Sequence, residues 1–271
     1  MNSTVKVDRW TPGFAGSSPM FAPFANLPLC TMTQWPQLPD LQGLLDARDV
    51  RTASGRGVRL NVQAIGDARL PYERRLFESG EMGWRAQNWH DLFNVLVYAT
   101  FPRMKSALNA RHHAALASEV PGQRGRERDA LTLFDESGVI VMSERADLLQ
   151  LIRDFDWHRL FWQERESVRT EMTFIVFGHS LYEKALHPYV GMTGHALLLD
   201  TPCGNAAMSG MGGVDMQAAG LVAQGALGTP GALAPLPLLG VPGWWPANEM
   251  ESFYANDGYF RRGRRTDAAT R

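Results

Sequence analysis

The sequence predicts a single α/β or α+β domain: a small mixed sheet with a β-hairpin, packed by several helices and flanked by long irregular segments at both ends. Three observations predict it. Val58, Leu60, Val62 and Ala64 alternate with Arg59, Asn61 and Gln63, the period of a half-buried strand. Apolar residues at helical spacing recur in several stretches between Tyr72 and His187. The run DALTLFDESGVIVMS, from Asp129, places two β-prone segments around Asp135 to Gly138, a composition that suits a tight reversal and predicts a hairpin over 131–142.

Residues 1–40 are rich in Pro, Phe and Trp without either periodicity, which predicts an irregular arm packed on a globular unit of residues 41–271. Leu41–Ala47 is a short helix candidate, and Tyr72–Ser79 reads as a helix closed by Gly80. Asn88 is placed to cap the next helix, with Asp91 three residues on to complement its positive end. Pro102 cannot continue that helix, so a kink or break is expected near Thr100 and Phe101, with a second helix from Pro102 to about Ala117. Glu144–Phe161 has helical spacing, Thr173–Phe177 reads as a buried strand, and Gly178 leads into a helix from His179 to His187. The Gly- and Ala-rich stretch 204–234 predicts a long loop or partly helical flap, and 235–271 an extended aromatic tail.

Composition narrows the function classes. With 271 residues, 45% hydrophobic, and 27 basic against 28 acidic side chains, the formal charge of -1 does not favour nucleic acid as a partner, and any anion bound is expected to be small. Cys30 and Cys203 alone cannot build a cysteine-rich zinc module or a disulfide framework, and this usage suits the cytoplasm. The opening lacks a secretory pattern, and no apolar run is long enough to span a bilayer, so no membrane association is expected. Neither a phosphate-binding glycine loop nor a GxSxG elbow is present, and Ser180 lacks the strained glycine setting of a serine nucleophile.

Four constellations remain. His179, Glu183 and His187 recur every four residues along one predicted helix; His179 and Glu183 form a partial ligand set for a divalent metal, while His187 falls where the helix ends at Pro188. His90 shares a helical face with Asn94, so an imidazole could meet a ligand that the amide orients. Lys105, Asn109 and His112 fall within a narrow arc, where they could bind an anion while His112 moves a proton. Arg124, Arg126 and Arg128 in the following loop could hold a phosphate. Each has a plainer explanation: His179 capping or hydrogen-bonding at its helix start with Glu183 paired to Lys184 or His187, which is the reading favoured over a metal; helix capping for Asn88 and Asp91, with His90 bonding a backbone carbonyl; a solvated helix edge for the Lys105 stripe; and local ion pairing for the arginines, while turn formation accounts for Asp135 and Glu136.

The blocks YERRLFESGE, NWHDLFNVLVYATFPRMKSALNARH, RDALTLFDESG and FGHSLYEKAL, with the closing LPLLGVPGWWPAN and FYANDGYFR, resemble the bacterial family labelled domain of unknown function 3025, over about residues 58–262. The resemblance implies a proteobacterial, cytoplasmic-type protein; it implies no reaction and no ligand set. The function favoured by the residues themselves is a hydrolase-like enzyme in which catalytic His90 and His112 meet His179 and Glu183, the latter two around a divalent metal. The alternatives are a non-catalytic binding protein for a phosphate-bearing ligand or nucleic acid, through Asn94, Lys105, Asn109 and the three arginines, and an interaction protein whose Trp-rich tail docks a partner.

Overall fold

A computed structural model describes residues 7–62, 70–119, 123–201 and 210–263. Ala64 and Ile65 of the expected first strand, Cys203, and residues 204–209 of the Gly- and Ala-rich stretch lie outside these ranges. The N-terminal arm is a chain of 3-10 turns, Phe14–Gly16, Pro19–Phe24 and Pro28–Thr31, that drives Phe14, Phe21 and Phe24 into the core. Trp10 of the arm stacks on Trp89 with ring centroids 4.9 Å apart, and Phe21 and Phe24 lie against Phe93. Burying three phenylalanines fully is worth roughly 2–3 kcal/mol each, enough to hold a segment without regular hydrogen bonding.

Helix α1 (Leu38–Ala47) leads to strand β1 (Arg59–Val62), which pairs in parallel with β2 (Glu81–Trp84) around helix α2 (Tyr72–Ser79). The left-handed Gly80 closes α2 as its position implied. Asn88 caps α3 (Trp89–Thr100) by accepting from Asp91 N at 3.0 Å. The helix stops at Phe101, and Pro102 opens α4 (Pro102–Ser118). A proline at the first position of a helix has no amide hydrogen to lose, so the break costs little where a mid-helix proline would cost much.

The expected hairpin over 131–142 is corrected by the structure. Residues 126–137 form helix α5 (Arg126–Ser137), and the chain passes directly into strand β3 (Gly138–Ser143). Ala130, Leu131 and Phe134 are buried at helical spacing, and Glu127 and Asp129 sit in the first turn, where carboxylates suit the positive helix end. Asp135 to Gly138 is thus a helix end rather than a turn. The switch works because position 138 lacks a side chain: a Cβ there would lie 2.4 Å from Phe134 O.

The central sheet has the order β4-β3-β5-β6, with β4 (Met172–Val176) antiparallel to β3, β5 (Thr193–Asp200) parallel to β3, and β6 (Ala234–Pro237) antiparallel to β5. Every residue of β3 is buried, as a central strand covered on both faces requires. The single helix expected over 144–161 divides into α6 (Ala146–Arg153) and a π-helical turn, Arg159–Gln163, separated by Phe155 at φ 58°. Helices α7 (Arg165–Glu171) and α8 (His179–Ala185) bracket β4.

In the Gly- and Ala-rich stretch, α9 (Met211–Ala223) buries Val214, Ala218 and Val222. It docks on α4 through Asp215, which is 1% exposed and accepts from Arg103 N at 3.0 Å and Met104 N at 2.8 Å. The aromatic tail is not extended beyond β6. It forms 3-10 turns at Leu238–Gly240, Pro246–Glu249 and Glu251–Ala255, and buried Asn248 ties the first two together by donating to Leu239 O and Val241 O. Among the described residues, no helix is long and apolar enough to cross a membrane.

Candidate functional site

The start of α3, the end of α5 and the start of α8 meet because the chain makes one unusually close approach. Phe177 N and Gly178 N both donate to Gly138 O, at 3.0 and 2.9 Å, and a Cβ on Gly178 would lie 2.4 Å from Ser137 N. This contact sets His179 and Ser180 against Asp135 and Glu136, and α3 brings His90 to the same point.

His90 Nε2 lies 3.2 Å from His179 Nε2, and His179 Nε2 lies 3.6 Å from Glu136 Oε1. Together these three residues offer ligand atoms all within 4.8 Å of one another. Atoms bound to one metal at about 2.0–2.1 Å are separated by about 2.8–3.4 Å for angles between octahedral and tetrahedral, so the His90–His179 and His179–Glu136 separations of 3.2 and 3.6 Å fit a shared ion with little adjustment. His90 and Glu136 have side chains 33% and 43% exposed, whereas His179 is buried, which leaves one side of the cluster facing solvent.

Outer contacts orient each of these groups. Ser180 Oγ donates to Glu136 Oε2, a carboxylate oxygen that can only accept. Having spent its proton there, Ser180 accepts from His90 Nδ1 at 3.3 Å, and Glu183 Oε2 approaches the same nitrogen at 3.5 Å. The His90 proton is thereby placed on Nδ1, and its Nε2 presents a lone pair. On the other ring, His179 Nδ1 faces Asp135 Oδ2 at 3.8 Å and has no hydrogen-bond partner.

Behind the cluster runs a buried polar stripe. Lys105 Nζ is bonded to Asp135 Oδ1 at 2.5 Å and Asn94 Oδ1 at 2.9 Å, and it sits 4.5 Å from the centroid of the Tyr98 ring. Lys105, Asn109 and His112 are all at most 3% exposed, so the arc predicted as a solvated or ligand-facing edge points inward. Asn109 Nδ2 donates to Glu73 Oε2 at 2.7 Å, while Asn109 Oδ1 and His112 Nδ1 are buried without partners.

Burial governs the titrations here. It pushes Glu73 up to about 7, reinforced by the Asp135 charge, and pushes His112 and His179 down to about 4 against the pull of Asp135. Burial also raises Asp135, but Lys105 and His179 outweigh it and hold the carboxyl below its ordinary value.

The structure therefore brings His90, Asn94, Lys105, His179 and Glu183 to one locus. His112 makes no hydrogen bond or ion pair with His90 among the described residues; it belongs to the inner stripe. The arginines have other partners: Arg124 pairs with Asp129 and bonds Thr132, Arg128 pairs with Glu119 at 2.6 Å, and Arg126 is the first residue of α5, while the Arg124 and Arg128 charges act on His112 of the inner stripe. Sequence reasoning missed Asp135, Glu136, Ser180 and Glu73. The first two carried a usable signal once 126–137 is read as a helix, since two carboxylates in a last turn oppose the helix dipole and call for compensation from outside the segment.

No curated protein matches the chain, and no solved structure matches it. A family model described as a protein of unknown function, DUF3025, matches residues 59–264, a span that takes in every group of the cluster, and the chain belongs to that family.

Proposed function

We propose that the protein is a metal-dependent enzyme of the hydrolase type, with a divalent transition metal held by His90 Nε2, His179 Nε2 and Glu136 Oε1. One observation carries this reading: while both rings are neutral, the two imidazoles cannot both be satisfied without a cation. His90 Nε2 presents a lone pair because Ser180 and Glu183 claim its proton at Nδ1. If His179 carries its proton on Nε2, its Nδ1 lone pair confronts the Asp135 carboxylate; if on Nδ1, two lone pairs oppose each other at 3.2 Å. A bound cation relieves both conflicts, and Asp135, Glu136 and Glu183 against Lys105 leave negative charge to receive it.

Two histidines and one carboxylate leave coordination positions open, the pattern of a catalytic rather than a closed structural centre. Such an ion acidifies a bound water and polarises a substrate oxygen. The chain's own part is to fix the ligands through Ser180 and Glu183 and to leave the solvent side accessible at His90 and Glu136. A serine nucleophile is less well supported, because the Ser180 proton is committed to Glu136 rather than to His90. The phosphate-binding alternative also draws less support, since Lys105 is buried against Asp135 and Arg124 and Arg128 are paired. The cytoplasmic setting suggested by sparse cysteine usage belongs to this reading.

The test is metal content of full-length protein purified without a histidine tag, followed by loading with Zn²⁺, Mn²⁺, Fe²⁺ or Co²⁺. One ion per chain is expected, lost in His90→Ala, Glu136→Gln and His179→Ala. Hydrolysis of a panel of simple phosphate and carboxylate esters should depend on the ion and stop with chelator. Failure of the wild-type protein to take up any of the four ions overturns the proposal.

A further inference from the structure

Lys105 is an odd residue to bury. Its ammonium is 2% exposed, and its surroundings are Asp135 Oδ1, Asn94 Oδ1 and the face of Tyr98. An ion pair this deep gains little net stability over well-packed apolar side chains, because desolvation offsets most of the attraction. Stability alone does not account for it. What the pair does achieve is directional: with Oδ1 held by Lys105, the other oxygen, Oδ2, points at His179 Nδ1.

We propose that Asp135 and Lys105 are the positioning residues of the site: Lys105 anchors Asp135, and Asp135 holds the His179 proton on Nδ1 so that Nε2 faces the metal. The inference rests on the metal reading above and deepens it. The geometry favours this assignment on three counts. His179 Nδ1 is buried and without a hydrogen-bond partner, so a proton there has Asp135 Oδ2 as its nearby acceptor, 3.8 Å away. Lys105, on α4, is held by Asn94 of α3, the helix that also carries His90, so the residue that holds the anchor and the facing ligand share one rigid element. The separation closes to hydrogen-bonding distance with an inward shift of about 1 Å, and outer-sphere carboxylates commonly orient metal-binding histidines in this way.

The two residues act through His179, so the decisive readout is that ring. Long-range ¹H–¹⁵N spectra of ¹⁵N-labelled full-length protein near neutral pH report which imidazole nitrogen carries the proton, with and without Zn²⁺. The wild-type protein is expected to show His179 protonated on Nδ1 in the metal-free form, and a downfield, slowly exchanging Nδ1 proton when Zn²⁺ is added. Asp135→Asn should move the metal-free proton to Nε2 and weaken Zn²⁺ binding, measured by chelator competition, by about 10- to 100-fold. An amide at 135 cannot satisfy both neighbours, because turning its oxygen to His179 turns its NH₂ to the Lys105 ammonium. Lys105→Met should weaken binding in the same direction. Glu183→Gln, which contacts His90, should leave the His179 tautomer unchanged.

A wild-type metal-free His179 protonated on Nε2 overturns the inference, as does an Asp135→Asn protein that binds Zn²⁺ like the wild type. If Asp135→Asn does not fold, the wild-type spectrum and Lys105→Met decide. If the wild-type protein binds no Zn²⁺ or other ion, the metal reading falls by itself, and the His179 tautomer still determines whether Asp135 positions the ring.

Discussion

Replacing Glu73 by Gln should flatten the loss of stability as pH rises from 5 to 8, and the size of the effect follows from the surroundings of one carboxyl. Burial and the nearby Asp135 charge raise Glu73 from 4.5 to about 7 in the folded protein. Below 4.5 the group is protonated whether the chain is folded or not. Between 4.5 and 7 the unfolded chain releases the proton while the folded one keeps it, so stability contributed by the protonated form falls as pH rises, and above 7 the folded protein carries a half-buried carboxylate. A gap of this size corresponds to about 3 kcal/mol in full, of which about 2.5 kcal/mol falls between pH 5 and pH 8. Gln retains an oxygen to accept from Asn109 Nδ2, so the hydrogen bond survives while the titration disappears. Urea unfolding of both proteins at pH 5 and pH 8, with chelator present, measures the difference. His112 and His179 have the opposite sign: each is depressed to about 4, so its contribution is present above about 6.5 and lost as pH falls through 4. Those contributions are common to both proteins and cancel in the comparison. Parallel stability profiles for wild type and Glu73→Gln would refute the reasoning.

Two further substitutions test how the fold builds the site. Gly178→Ala should lower stability and impair metal uptake together, because its Cβ would meet Ser137 N, Glu136 O and Gly138 N at 2.4–2.5 Å and force α8 away from α5; Gly220→Ala, with nothing within 4 Å, should be neutral or stabilising by up to about 1 kcal/mol in the same urea titration. Asp215→Ala should cost about 1–3 kcal/mol, since it leaves the Arg103 and Met104 amides at the start of α4 without their acceptor, and a shift in unfolding free energy below about 0.5 kcal/mol would show that water replaces the carboxylate.

What could be read from the sequence was what is decided within a few residues. Gly80 after α2, Asn88 before α3 and Pro102 at the start of α4 each act through their own backbone conformation or one nearby amide, and all three landed where their chemistry required. The 131–142 hairpin failed for the converse reason. Asp135–Gly138 has the composition of a turn, but the burial of Leu131 and Phe134 against the rest of the domain favours a helix, and only the close packing at Gly138 lets that helix pass into a strand without a loop. Phe155 at φ 58° has no local signature, because the left-handed conformation is imposed on it by tertiary packing, and so the break between α6 and the π-helical turn was invisible. Likewise α9 shows no amphipathic stripe, since Gly and Ala let it approach α4 closely without large apolar side chains.

The site resisted reading through the same division between local and tertiary causes, and the conflict at the end of α5 shows how. Asp135 and Glu136 occupy a last turn, where the helix dipole disfavours negative charge by a few tenths of a kcal/mol or more per residue. Taken as a turn, the pair looked content; taken as a helix end, it is locally wrong. The compensation comes from elements remote in sequence: Lys105 of α4 for Asp135, and Ser180 of α8 for Glu136. Both partners had been visible as residues, but Lys105 looked like part of a surface stripe and Ser180 like a failed nucleophile, because neither has a role until α5 is a helix and Gly178 brings α8 against it. A segment that violates its own preferences and is then neutralised by two distant elements is constrained by what those elements assemble, and here they assemble two imidazoles and a carboxylate around a single point.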